Sequence, residues 1–176
     1  DAMTPATPTA AAPAADFSSL QLRQALAHFA TGVTVVTACS PDGQRAGLTV
    51  NSFNSVSLEP PLVLWSLGRS SSSMAVFADA SHHVIHVLGA DQQALGERFA
   101  GPREQRWLDL AHGWSHGGAP LLAGCAAVFE CQSLSQQTAG DHVIFIAEVT
   151  RCFSDGPRAP LLYHGSRFHT GLTGSP

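Results

Sequence analysis

The chain contains no lysine, and its nine arginines are outnumbered by thirteen acidic residues, for a formal charge of −4. With so few cations and no basic stripe, binding to nucleic acid through phosphate neutralisation is not expected. No apolar run approaches the ~20 residues that cross a bilayer, so no membrane partner is expected and a cytoplasmic, soluble setting is. Cysteine is scarce, with no C-x-x-C pair. Cys125 and Cys131 would stand roughly 20 Å apart on an extended segment, beyond the ~7 Å reach of a disulfide. Buried free thiols in a reducing compartment are the expectation. Also missing are a G-x-G-x-x-G turn, a P-loop, a G-x-S-x-G elbow, paired carboxylates and any internal repeat. Rossmann-type nucleotide binding and serine-nucleophile chemistry are therefore not expected.

Histidine is plentiful, at nine residues, but the spacing does not suit a metal. His82, His83 and His86 share one strand entry, yet His82 and His83 point to opposite faces of the sheet, and glycines 113, 117 and 118 argue against a helix carrying His112 and His116.

Residues 1 to about 15 are Ala, Pro and Thr with little to bury, and a disordered tail without signal-peptide character is expected there. A single folded domain is expected over 16–176. Leu22, Leu26, Phe29 and Ala30 fall on one helical face that Gly32 would close. Val33 to Cys39 reads as a strand, Pro41-Asp42-Gly43 as a turn, and Arg45 to Asn51 as the returning arm of a hairpin. Strands are also predicted over 62–67, 83–88, about 126–135, 142–153 and 161–168. Short helices are predicted over 70–80 and after a capping Asp91, with Leu95 and Phe99 on one face. Strands joined by hairpin-type connections, with few helices, predict a mainly β fold: an antiparallel barrel, closed or nearly so.

Three stretches could carry chemistry. Ala46 to Pro61 starts as an alternating strand and turns into short hydroxyl and amide residues, among them Thr49, Asn51, Ser52, Ser55 and Ser57. Such a strand end suits a flat, polar-edged cofactor, or is simply a polar hairpin corner. Gly68-Arg69-Ser70-Ser71-Ser72-Ser73 follows an apolar strand and could cradle a phosphate or cap a helix. Gly140-Asp141-His142 opens a long strand and presents an imidazole at the rim, as a ligand group or an ordinary turn residue.

In combination, F-A-T-G-V-T-V-V-T (29–37), G-L-T-V-N-S-F (47–53), S-L-E-P-P-L-V-L (57–64), R-F-A-G (98–101), G-A-P-L-L (118–122), G-D-H (140–142) and L-L-Y-H-G-S-R-F (161–168) resemble the short-chain flavin reductase family. These proteins are the reductase components of two-component flavin-dependent monooxygenases. The resemblance covers about residues 17–170. It implies a split β-barrel with Greek-key topology and a few short peripheral helices. It further implies a homodimer that moves a hydride from NADH or NADPH to FMN or FAD and delivers reduced flavin to a partner oxygenase. By position, Thr49, Val50, Asn51 and Ser52 would meet the flavin ring edge, and Ser66 and Leu67 would line it. Arg69, Ser72 and Ser73 would hold the phosphate or ribityl end, and Arg98 and Phe99 would close the site. Tyr163 and Arg167 would border the same pocket, and His142 would stand near the nicotinamide as the catalytic histidine. Members often carry a basic or bulkier side chain within 70–74, where this chain has serines and Arg69 as the sole local cation. Other readings are a flavin- or haem-binding electron carrier on the same barrel, a pyridoxamine-phosphate-type oxidase, and a structural β-barrel. The scarcity of arginine and lysine disfavours the oxidase.

Overall fold

A computed structural model describes residues 15–154 and 156–171. Residues 1–14 of the expected tail lie outside them. Helix α1 (Ser19–Leu26) opens with a capping box, Ser18 Oγ accepting from Gln21 N and Gln21 Oε1 from Ser18 N. β1 (Thr31–Gly32), β2 (Thr34–Cys39), β3 (Arg45–Val50), β4 (Asn54–Leu58) and β5 (Pro61–Gly68) follow. Then come α2 (Met74–Asp79), β6 (His82–Val87), a 3-10 turn (Ala90–Gln92), α3 (Gln93–Ala100) and α4 (Arg103–Arg106). β7 (Gly113–Trp114), β8 (Pro120–Leu121), β9 (Ala127–Ala139), β10 (His142–Ser154), β11 (Leu162–His164) and β12 (Arg167–His169) complete the described chain.

The main sheet has seven antiparallel strands in the order β3-β2-β6-β9-β10-β5-β4. Within it, β6, β9 and β10 are successive neighbours and β5 returns beside β10, which is a Greek key. The two edges, β3 and β4, are not hydrogen-bonded to each other. The barrel is split, and the closed alternative in the sequence-based expectation is corrected on that point.

Alternation on β5 turns Val63, Trp65 and Leu67 inward. Trp65 stacks on Phe145 at 4.6 Å between ring centroids, with Phe77 edge-on at 4.9 Å and His83 at 5.6 Å. The central strands β2 and β6 are covered on both faces, so their sequences, TVVTAC and HHVIHV, bury almost every residue. A second apolar cluster, with Val33, Val35, Leu88, Phe99 and Leu161, lies between the sheet and α3.

Several expectations need correction. The first helix stops at Leu26, with Ala27 as its cap, and Gly32 belongs to β1. None of its residues is buried among the described residues, so its apolar face contributes nothing to the core clusters. β4 escaped the sequence reading because NSVSL is polar and exposed, as an edge strand can be. Helix α2 begins only at Met74, since the four serines form turns. Asp91 is not a side-chain cap; the Gln92 side chain accepts from Gly89 N, and Asp91 pairs with Arg158. The last segment is two strands joined by Gly165-Ser166, both at positive φ, rather than one strand. The four cysteines are unpaired as expected, but Cys152 is exposed and Cys39 only partly covered.

Two contacts set the geometry of the site. At Gly47 a Cβ would stand 2.6 Å from Phe99 and 2.8 Å from Trp107, so only glycine lets α3 lie this close to β3. Gly165 N donates to Ala27 O at 2.9 Å, holding the β11–β12 hairpin against the end of α1.

Candidate functional site

The end of β3, the end of α3 and the β11–β12 hairpin enclose a cleft of about 330 Å³. Its walls are Val33, Val50, Ala100 and Phe168, and its rim is Thr49, Asn51, Tyr163 and Ser166. No charged side chain lines it. Tyr163 is held edge-on to Phe168, ring centroids 5.5 Å apart. The Thr49 hydroxyl is already engaged, donating to Gly96 O at 2.6 Å. Asn51 is exposed, and its carboxamide has no protein partner among the described residues.

A second hollow of about 250 Å³ continues past Asn51, Tyr163 and Ser166 to Arg23, Leu26, Phe29 and His164. The structure thus brings Thr49, Val50, Asn51 and Tyr163 together. It adds Val33, Ala100, Ser166 and Phe168, which sequence reasoning did not assign. Ser166 lies in the Gly-Ser turn inside Y-H-G-S-R-F, which marks a turn, while nothing local marks Val33, Ala100 or Phe168 as cleft walls.

Ser52 stands beside the cleft, and its Oγ donates to Ser66 O and accepts from Ser66 N, both at 3.0 Å. That pair replaces a ladder interaction and ties the polar segment after β3 to β5. Leu67 and Phe99 are buried in the two apolar clusters, so their side chains build the walls' foundation rather than the rim. Arg98 is exposed and donates to Leu108 O at 3.1 Å. Arg167 is exposed at the hairpin turn, as the register partner of His164.

The serine turn forms a separate locus at the end of β5. Arg69 and Ser72 are exposed, and Arg103 donates to Ser72 O at 3.1 Å. Ser73 is 1% exposed and its Oγ has no partner among the described residues. His142 joins this locus. It is the register partner of Gly68, and Arg69 N donates to Asp141 O at 2.8 Å. His142 Nδ1 lies 2.7 Å from Asp141 Oδ1. The hydrogen bond to His142 lowers the Asp141 pKa. The ionised carboxylate can only accept, so Nδ1 carries the proton and Nε2 is left for a ligand.

The sequence-flagged histidines on β6 are interior groups. His86 donates through Nδ1 to Val35 O at 3.0 Å and accepts at Nε2 from Leu122 N at 3.0 Å, tying three segments together. His83 hydrogen-bonds Phe77 O through Nε2 at 3.2 Å. Burial lowers both pKa values to about 4, so both rings are neutral at pH 7. Among the described residues, no three His, Cys, Asp or Glu side chains group as metal ligands.

The residues present fit a flavin. The cleft offers apolar walls to a flat ring and an uncharged amide and hydroxyl rim to its polar edge. Among the described residues, two hydroxyls are buried without partners: Thr31 Oγ1, opposite Tyr163 in the β1–β11 ladder, and Ser73 Oγ at the serine turn.

The profile of the flavin reductase-like domain matches residues 26–172. The chain is 47% identical over 152 residues to the FMN reductase (NADH) SmoA of Agrobacterium fabrum, covering 86% of this chain and 85% of the relative. It is 42% identical over 148 residues to the reductase component of a flavin-dependent trigonelline monooxygenase from Acinetobacter baylyi. That match covers 84% of this chain but only 48% of the relative, so the chain spans about half of that protein. The solved NADH:FAD oxidoreductase SgcE6 of Streptomyces globisporus, bound to NAD and FAD fragments, superposes with a TM-score of 0.82 at 34% identity. The superposition covers 89% of this chain and 94% of that one.

Proposed function

The chain belongs to the flavin reductase-like domain family and is an enzyme of that type; on that premise we propose that it oxidises NADH or NADPH and passes the hydride to FMN or FAD. The reduced flavin then serves a partner oxygenase, the role named for the Acinetobacter relative. The relatives' names favour NADH as reductant and FMN as acceptor. The observation that carries this reading is the uncharged cleft at the end of β3, with its apolar walls and free Asn51 rim.

When bound, the flavin supplies the hydride-accepting ring, and the protein's work is placement and electrostatics. Val33, Val50 and Phe168 exclude water from the ring face. Asn51 and the backbone N–H groups of Asn51 and Ser52 are placed to stabilise negative charge developing at the ring edge. Arg69, Ser72 and Ser73 would hold the phosphate end, and His142, oriented through Nδ1 by Asp141, would offer Nε2 to the nicotinamide. Holding reacting atoms about 3–3.5 Å apart accounts for much of the rate gain, and no strong general base is required.

A homodimer belongs to this reading. Leu58 and Val56, on the unpaired edge strand β4, are 88% and 48% exposed. Sedimentation equilibrium giving only monomer mass would remove the dimer. The four free cysteines suit a reducing, cytoplasmic setting, and no described helix is long and apolar enough to cross a membrane.

Anaerobic mixing with each nicotinamide and each flavin tests the activity. Bleaching of the oxidised flavin band at catalytic enzyme concentration is expected. A protein that binds flavin yet never bleaches it is a carrier instead.

A further inference from the structure

A nicotinamide-to-flavin transfer brings two phosphorylated molecules to one protein, and the serine turn with Arg69 accounts for one of them. We propose that the hollow between α1 and the β11–β12 hairpin is a second phosphoryl-binding subsite, taking the pyrophosphate of the reductant. The inference rests on the functional reading above and names which ligand reaches this shelf.

The shelf opens directly from the cleft, sharing Asn51, Tyr163 and Ser166 with it. A ring seated against Phe168 can therefore extend over Tyr163 without crossing a wall. Beyond Tyr163 the lining turns cationic or ionisable: Arg23 and His164 first, then His28 in the groove of about 470 Å³ that continues outward. His164 is braced by His169, whose Nε2 lies 3.0 Å from His164 O. Arg167 follows across the turn as the register partner of His164.

Three features set this patch apart from ordinary surface charge. Among the described residues no Asp or Glu lines the cleft, the shelf or the groove, although acids outnumber arginines thirteen to nine in the whole chain. The side chains of Arg23 and Arg167, like that of Arg69 at the serine turn, make no hydrogen bond or ion pair among the described residues, whereas Arg45, Arg98, Arg103, Arg106, Arg151 and Arg158 all do. The hairpin is also fixed against α1 by the Gly165 N to Ala27 O bond, which presets the spacing of Arg23 and His164. Arg23 in the last turn of α1 complements the helix dipole as well. That role explains one cation, but not the His164 imidazole that lines the same hollow from a different element.

A guanidinium binds phosphoryl oxygens through paired, charge-assisted hydrogen bonds. Arg23→Gln should therefore weaken binding of ADP-ribose, which carries the pyrophosphate without the nicotinamide, by roughly tenfold in isothermal titration. Arg23→Lys should recover part of the loss. Riboflavin affinity, with no phosphate to lose, should stay unchanged in Arg23→Gln. Arg45→Gln, which removes the same charge on another face, should leave ADP-ribose binding as it was. In steady state the KM for NADH should rise in parallel with the ADP-ribose constant, with riboflavin as acceptor.

Weaker FMN binding with unaltered ADP-ribose binding would assign the shelf to the flavin phosphate and overturn its assignment to the reductant. Equal ADP-ribose affinity in wild type and Arg23→Gln, or no ADP-ribose binding at all, would overturn the shelf itself. Wild-type protein that binds ADP-ribose in an Arg23-dependent way but bleaches no flavin would keep the shelf and remove the reductase reading.

Discussion

Two regions of this molecule put histidine to opposite ends. Trp65, Phe77, His83 and Phe145 form a closed packet under β5, β6 and β10, each fully buried. At the ends of those strands and of β3, Asn51, Arg69 and His142 stand in solvent with their polar groups free or lightly paired. His83 and His142 show what the difference means. Burial makes His83 a neutral, apolar-packed ring whose protonation costs stability. Exposure beside Asp141 leaves His142 an oriented imidazole with one nitrogen to offer. Residue type alone does not say which of these a histidine will be; the surrounding surface does.

The sharpest way to break the interior packet is Trp65→Ala. It should cost about 3–5 kcal/mol, because the stacked and edge-on neighbours cannot close the cavity left behind. Urea unfolding would measure this, and a loss under 1 kcal/mol would mean the packet is far looser than the ring distances indicate.

His142→Ala should do the reverse, leaving the urea midpoint almost unmoved while kcat/KM for the nicotinamide falls by up to ~10²-fold. Unchanged steady-state constants would take His142 out of the mechanism.

The histidines also separate the regions by pH. His83 and His86 have folded pKa values of about 4, against about 6.5 when unfolded. Between those values the unfolded chain binds more protons, so stability is full at neutral pH and falls as pH drops from about 6.5 toward 4. The slope should reach about 1.4 kcal/mol per pH unit for each ring. Urea midpoints at four or five pH values would show it, and His86→Gln should flatten the curve. A flat profile in the wild type would count against two neutral buried rings.

The smallest contrast lies between neighbours. Ser52→Ala removes both hydrogen bonds to the Ser66 backbone and should lower stability by roughly 1–2 kcal/mol. Asn51→Ala should leave stability alone and weaken flavin binding severalfold, read by fluorescence quenching. If the two variants behaved alike, the division of labour across this pair would be wrong.

The β2–β3 hairpin was legible from Val and Thr runs around Pro41-Asp42-Gly43, and the long β9 and β10 from their apolar alternation. The polar rim at Asn51 was legible because a strand pattern ended in short polar residues. Val33, Ala100 and Phe168 were not legible as cleft walls, because nothing local marks an apolar residue as facing a hollow rather than a core. Leu67 and Phe99 show the converse, since a place near a motif did not put their side chains on the rim. β4 was hidden by its exposure, and the final hairpin by the shortness of its arms.

Alternating apolar patterns, turn residues and the order of short motifs were enough to determine a mainly β chain of flavin reductase type, since they act through neighbours in sequence. Which hydroxyls are spent on backbone partners, which histidines are buried, and how α1 meets the β11–β12 hairpin beside Tyr163 were decided only by the tertiary structure. Those outcomes depend on surfaces brought together from far apart in the chain, and burial and hydrogen-bond satisfaction are settled only once the surfaces meet.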